Sequence, residues 1–424
     1  MSHIVVVGAG IGGTAAAFEL RSELPKAHRV TLVSPDETFR FVPSNPWVAV
    51  GWRDRSAVTE TLGPQLERKG IELVAGRVAR VAPEQSRVTL EDGRTLDYDY
   101  LVLATGPELA FDEVPGLGPD GHSVSICTLE HAERAFEAYR RLVDDPGPVV
   151  IGAVQGASCF GPAYEFALIL DTDLRRRKLR HKVPITFVTS EPYIGHLGLG
   201  GVGDSKGLLE REFRQHDIKW ITNAKVDAVE PDRVRVTVHD DGGKPMEAKS
   251  IEHRFAMLLP AFRGVAAVRG IEGLVNPRGF VIVDAQQRNP RFPNVYAAGV
   301  GVAIPPVEET PVATGAPKTG YMIESMVAAV VRNIAAELEG EEPTATATWN
   351  AICLADMGDT GIAFVALPQV PPRNVTWAKK GKWVHLAKIA FEKYFLHKVR
   401  HATSETVYER YILKALGIER LGST

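Results

Sequence analysis

The sequence predicts an α/β protein built on two Rossmann-like dinucleotide-binding domains, followed by an α-helical C-terminal region. Three observations carry that expectation. A Gly-x-Gly-x-x-Gly turn opens the chain between a strand and a helix. A second strand-and-glycine turn near residue 150 has lost part of the same fingerprint. After about residue 370 the chain turns basic, aromatic and amphipathic.

The first element is the β-branched run Ile4-Val5-Val6-Val7, of the kind buried on both faces in a parallel sheet. Gly8-Ala9-Gly10-Ile11-Gly12-Gly13 follows at once, then an alanine-rich helical stretch and a second strand, Arg29–Ser34. In this context each glycine has a task. Gly8 permits the tight turn, Gly10 lets the backbone approach a pyrophosphate, and Gly13 lets helix and strand pack closely. The helix N-terminus supplies unpaired N–H groups for the phosphates, which favours FAD over FMN because a pyrophosphate is needed to fill the turn. Ser34 stands where an acidic ribose ligand is usual, with Asp36 two positions on.

Val88–Leu90 and Thr95–Tyr98 flank Glu91-Asp92-Gly93-Arg94, a hairpin signal. Tyr100–Leu103 then runs into Ala104-Thr105-Gly106, and Asn294–Ala298 later ends in Gly299-Val300. These resemble the strands by which two-dinucleotide-domain flavoproteins leave and re-enter the first domain. The expected division is residues 1–110 with 270–340 as the flavin domain, 111–269 as a second Rossmann-like domain, and 341–424 as the C-terminal region. In the second domain Gly152-Ala153-Val154-Gln155-Gly156 lacks the middle glycine, and Thr189-Ser190 ends the next strand with Glu191 nearby. That predicts a dinucleotide fold without a functional NAD site, whose turn presents Cys159.

Composition limits the function classes. Hydrophobic residues at 45%, charged residues at 24% and a net charge of -3 describe an ordinary soluble core without the basic excess of a nucleic-acid binder. The three cysteines are too scattered for a disulfide framework and show no zinc-ligand spacing. No apolar run reaches the roughly 18 residues of a spanning helix. The chain enters a strand without a charged leader or cleavage site, which predicts a mature cytosolic start. Lys379–Arg400 mixes lysines with Trp383, Leu386, Phe391 and Phe395, and Val407–Leu416 repeats apolar residues at helical spacing. Such stretches suit either an interfacial membrane anchor or helices docked on the protein's own body.

With these residues in view, the chain resembles the bacterial sulfide:quinone oxidoreductases, monotopic membrane flavoproteins. The resemblance runs through Phe41-Val42-Pro43-Ser44-Asn45-Pro46-Trp47, Gly156–Pro162, Glu191–His196, Pro311–Gly320 and the Cys353 segment. Ser34 and Val300 are both tolerated in that family. The resemblance implies FAD held by Gly8, Gly10, Gly13, Ser34, Thr105, Gly106 and Gly299, with Lys318 near the flavin pyrimidine. It implies a redox pair, Cys159 and Cys353, with Cys127 as a third cysteine near the flavin. It also implies His131, His196 and Glu165 as proton-moving or sulfide-positioning groups. Phe391 and Tyr408 match aromatics that sandwich the quinone.

Sulfide is then expected to attack a Cys159–Cys353 disulfide and to leave as sulfane sulfur or polysulfide, with two electrons passing through FAD to membrane ubiquinone or menaquinone. The implied setting is a bilayer surface, on the cytoplasmic side, with homo-oligomers allowed. Three rivals make different demands. A type II NADH:quinone reductase needs the second glycine fingerprint intact. A flavocytochrome-type sulfide dehydrogenase needs a partner cytochrome. A flavin-binding sensor or membrane-recruitment module would bind FAD without turnover.

Overall fold

The computed structural model describes residues 1–403 and residue 421. A five-stranded parallel sheet forms the first half, in the spatial order Val295–Ala297, Tyr100–Leu103, His3–Val7, Arg29–Ser34 and Glu72–Ala75. Ile4, Val5 and Val6 have no exposed surface, as a strand covered on both faces requires. Register decides what this sheet can hold. Val7 pairs with Val33 on one side and Leu103 on the other, and Leu103 pairs with Ala297. The three segments Gly8–Gly13, Thr105–Gly106 and Gly299–Gly301 therefore leave the sheet together at its carboxyl edge, where open α/β sheets bind ligands.

The expected hairpin is present, Arg87–Leu90 against Thr95–Asp97, with Gly93 at φ +86° in its turn. A second parallel sheet orders Ile218–Ile221, Ile185–Thr189, Val149–Ala153 and Phe255–Leu259. The helix Gly161–Arg176 packs on it and buries Glu165 along with its apolar residues. A three-stranded antiparallel sheet, Ala224–Val229, Arg233–His239 and Pro245–Glu252, projects beside it.

The C-terminal region departs from the expected all-helical layout. Ala351–Asp356, Gly361–Leu367 and Val375–Gly381 form a three-stranded antiparallel sheet, and Cys353 lies on its first strand. Lys379 and Lys380, expected in the amphipathic stretch, belong to the last strand, and the helix begins at Lys382 and ends at His401. Pro371 and Pro372 mark the connection between the second and third strands rather than the end of ordered structure. The reason is pairing: Ile362, Phe364 and Val365 are residues suited to a strand, and they find partners on both sides.

The helix Lys382–His401, hereafter the lysine helix, docks on the protein body through a buried stripe of Val384, Lys388, Glu392, Phe395 and Val399. Trp383 and Leu386 point away, 48% and 63% exposed. Among the described residues no helix is long and apolar enough to cross a membrane. Val407–Leu416, including Tyr408, lies outside the described residues.

Candidate active site

At the first glycine turn the helix Ile11–Glu23 begins directly after Gly10, with no side-chain cap and no acidic residue in its first turn. Gly8 sits at φ +106°, and a Cβ on Gly13 would stand 1.7 Å from the Gly8 carbonyl oxygen. These two positions are sterically closed to other residues. Gly10 is different: a Cβ there would meet nothing within 4 Å, so the uncapped N–H groups face open space. That is the cradle a dinucleotide pyrophosphate needs, and the residues present fit FAD. Ser34 is buried at the end of its strand. Asp36 is taken up by Arg40, whose two terminal nitrogens reach it at 3.0 and 2.8 Å.

Thr105 donates to the Gly106 carbonyl at 3.1 Å, and Gly106 and Gly299 both hold left-handed φ. A Cβ on Gly301 would stand 3.3 Å from the Gly106 carbonyl oxygen, so the leaving and returning crossovers meet. Lys318 lies just ahead of the helix Gly320–Glu339, with its ammonium 4.5 Å from the Phe280 ring centroid. Burial pulls Lys318 down to about 8, against the upward pull of Cys159.

The three cysteines gather at the second turn as free thiols. Cys159 ends the loop just before the helix Gly161–Arg176, whose N-cap is Phe160. The Cys353 sulfur lies 3.3 Å from where a Cβ on Gly161 would be, so a side chain there would press on the sulfur. Cys159 feels the charges of Cys353, Cys127, Glu165 and Lys318. The start of the helix Gly161–Arg176, whose dipole would favour a Cys159 thiolate, does not win. Burial pushes Cys159 up to about 12 and Cys353 and Cys127 to about 11, even though Lys318 and Lys388 pull Cys159 and Cys353 respectively the other way. In the dithiol form the pair is therefore protonated at neutral pH.

Glu165 is buried beside them and accepts from the Lys388 ammonium and from the Asp356 N–H at 3.2 Å. Burial raises it to about 7, with Lys388 opposing. Neither Lys388 nor Asp356 stood out in the sequence. The available signal was a lysine and a glutamate at 388 and 392, inside the apolar stripe of the lysine helix.

The histidines separate. His196 is fully buried; the Gly198 N–H donates to its Nδ1 at 3.1 Å, so Nε2 carries the proton and donates to Glu308 at 2.8 Å. Its loop reaches the cysteine turn. A Cβ on Gly198 would meet the Gly315 carbonyl oxygen at 2.2 Å, and one on Gly315 would meet Ser158 at 2.8 Å. His131 instead lies edge-on to Phe111 at 5.6 Å, and its Nδ1 has no hydrogen-bond partner among the described residues. No hydrogen bond or ring contact joins it to the cysteines there. Phe391 sits in an aromatic cluster with Phe41 and Phe395, at 5.5 and 5.7 Å, and its ring tip is 3.5 Å from a Cβ position on Gly320. That places it beside the helix start that follows Lys318.

The second turn is filled by protein. The Gly156 N–H donates to the Ala313 carbonyl, and the Gln155 amide pairs with both backbone groups of Val226. Glu191 points inward and accepts from Tyr164, Thr189 and the Leu197 N–H at 2.7, 2.7 and 2.6 Å. An acid that is fully buried and held by three internal donors does not face a ribose.

Comparison with known proteins matches this architecture. Residues 2–317 match the pyridine nucleotide-disulphide oxidoreductase family. The chain is 43% identical to a sulfide-quinone reductase of Aquifex aeolicus over 97% of this chain and 94% of that protein. It superposes on the crystal structure of the sulfide:quinone oxidoreductase from the same bacterium with a TM-score of 0.95, covering 100% of this chain and 98% of that one at 41% identity. The NDH2 of Plasmodium falciparum, solved in complex with NADH, shares the fold at a TM-score of 0.65 and 14% identity, over 99% and 100% of the two chains.

Proposed function

From a chain that belongs to the pyridine nucleotide-disulphide oxidoreductases, and among them to the sulfide:quinone oxidoreductases, we propose the following division of labour among its residues. The protein is an FAD-dependent oxidoreductase that oxidises sulfide and reduces quinone. The observation that carries the residue-level reading is the meeting of Cys353 with the helix start that follows Cys159.

FAD, when bound, accepts two electrons from the sulfur pair and gives two to quinone. Gly8, Gly10 and Gly13 admit its pyrophosphate, Ser34 faces the ribose, and Thr105, Gly106 and Gly299 shape the crossover beneath it. Lys318 holds a positive charge at the crossover. Cys159 and Cys353 cycle between dithiol and disulfide. Hydrosulfide attacks one sulfur of the disulfide, forming a persulfide there and releasing the other cysteine as a thiolate; a second hydrosulfide carries the outer sulfur away as polysulfide, leaving the dithiol, which gives up two electrons and a proton as the disulfide re-forms. Glu165, held near neutrality, takes up and returns protons beside Cys353. His196 does the same through its hydrogen bond to half-exposed Glu308, and His131 and Cys127 have secondary places near the first turn of the helix Leu129–Asp144. Phe391, with Tyr408, offers aromatic faces to a flat quinone.

Residues 1–110 with 270–340 make up the flavin domain in this reading, 111–269 the sulfur domain and 341–424 the quinone region. Quinone is a membrane solute, and exposed Trp383 and Leu386 beside Lys382 suit a bilayer surface, on the cytoplasmic side. The test is anaerobic stopped-flow. Cys159→Ala and Cys353→Ala should each keep the flavin spectrum and lose sulfide-driven bleaching by about a thousandfold or more. Near-normal bleaching in either variant would sink the cysteine assignment.

A further inference from the structure

The lysine helix sends a second polar residue to the sulfur strand. One turn before Lys388, the His385 Nδ1 stands 2.7 Å from Asp356 Oδ1. Asp356 is fully buried three positions beyond Cys353 and also accepts from the Trp47 indole at 2.8 Å and from the Gly358 N–H at 3.2 Å. A carboxylate only accepts, so Nδ1 carries the proton and the ring donates. Of this set His385 is the member that reaches solvent, with 24% of its side chain exposed.

The pair bears on Glu165 in two ways. Asp356 gives its backbone N–H to Glu165 Oε1, so whatever fixes Asp356 fixes one of the two donors on Glu165. Its negative charge also pushes the Glu165 carboxyl toward its neutral form. The titratable groups facing Glu165 are Lys388 from the lysine helix, Asp356 and Cys353 from the strand, and Cys159 from the loop before its own helix. Behind Trp47, which lies under the Lys388 ammonium at 5.6 Å, Arg53 is paired with Glu392 at 3.0 Å and so adds no net charge.

We propose that His385, through Asp356, is a positioning residue of the sulfur site: it holds the Cys353 strand in register with Glu165 and offsets the Asp356 charge that Glu165 feels. The inference rests on the assignment of Glu165 as the proton group of the sulfide half-reaction. It adds that the setting of this group is controlled from the helix that also carries Phe391, through a ring partly open to solvent.

The two half-reactions can be read separately in the FAD-bound full chain. Sulfide-driven bleaching is followed against pH, and reoxidation of the reduced flavin by a soluble quinone is followed alongside. Read as the limiting rate at saturating sulfide, where the ionisation of free hydrogen sulfide does not shape the profile, wild type should show a limb near neutral pH that Glu165→Gln removes. His385→Ala should move that limb upward by about one pH unit, because the Asp356 charge is left less compensated. It should slow bleaching severalfold and leave reoxidation within about twofold. His385→Asn restores a donor at the Nδ1 position and should recover most of the rate. If Glu165→Gln leaves the limb in place, both the Glu165 assignment and this proposal fall. If Glu165→Gln removes it but His385→Ala does not move it, or slows both half-reactions alike, the Glu165 assignment stands and this proposal alone is overturned.

Discussion

The two glycine turns of this molecule began from one design and now do opposite things. At Gly8–Gly13 the helix starts at once and its N–H groups face open space over Gly10. At Gly152–Gly161 the loop is longer, its Gly156 N–H is spent on Ala313, Gln155 is clamped to Val226, and the acid nearest the ribose position, Glu191, is turned inward. The helix start there is met by the Cys353 sulfur. The lesson is one of occupancy. A nucleotide turn works because its backbone donors are left unpaired. Pairing them inside the protein frees the position for another chemistry.

The largest expected effect breaks the first turn. Gly10 has φ -77° and ψ -166°, which any residue adopts, and a Cβ there touches no protein atom. Gly10→Val should therefore fold with the melting curve of the FAD-stripped wild type but retain FAD at least about 100-fold more weakly, the collision being with the pyrophosphate alone. Flavin content after dialysis measures it. Normal retention would mean that the phosphates do not approach Gly10.

The next sharpens the second turn. With Cys159 pushed up to about 12 and Cys353 to about 11, the reduced protein should alkylate at pH 8 on the order of 50-fold more slowly than a free thiol, since the smaller thiolate fraction outweighs its greater nucleophilicity. The sign extends upward: the rate should still climb at pH 9 to 10, where an ordinary thiol has levelled off. Lys318→Met removes the cation that lowers Cys159 and should slow Cys159 further. Mass spectrometry of quenched samples resolves the individual sites.

The smallest effect is an expected failure. Val154→Gly restores the middle glycine to the second turn, two positions after Gly152, yet NADH should still reduce the flavin less than about twofold faster than in the parent. Gly156, Gln155 and Glu191 stay paired internally, and unpaired donors, not glycine, are what the phosphates lack there. Brisk bleaching by NADH would show that one side chain had closed the site.

Much of the first domain was legible in the sequence because its signals are local. The strand Ile4–Val7, the glycines and the helix follow one another within a single βαβ unit, and the Asp92-Gly93 turn needs only its two flanking strands. The C-terminal sheet was not legible. Gly361–Leu367 reads as a short apolar run whose strand state depends on partners both before and after it. The lysine helix read equally well as anchor or as docked helix, since its amphipathic period is common to both. Buried partners chose between them for one face: Lys388 with Glu165, Glu392 with Arg53 and Ser44, and Lys398 with Glu324. Both buried lysines of this helix are met by a carboxylate, and nothing in the spacing announces the carboxylate.

By itself, then, the sequence determined the class of fold, the open nucleotide turn and the broken second one, because glycine geometry and strand periodicity act over a few residues. It also marked Cys159 and Cys353 as residues of interest, through resemblance. Only the tertiary structure decided that they meet at one helix start, that Glu191 turns inward, and that Glu165 pairs with a lysine 223 positions away. Charge and hydrogen bonding act over a few ångströms of space, and the distance along the chain between such groups carries no record of that separation.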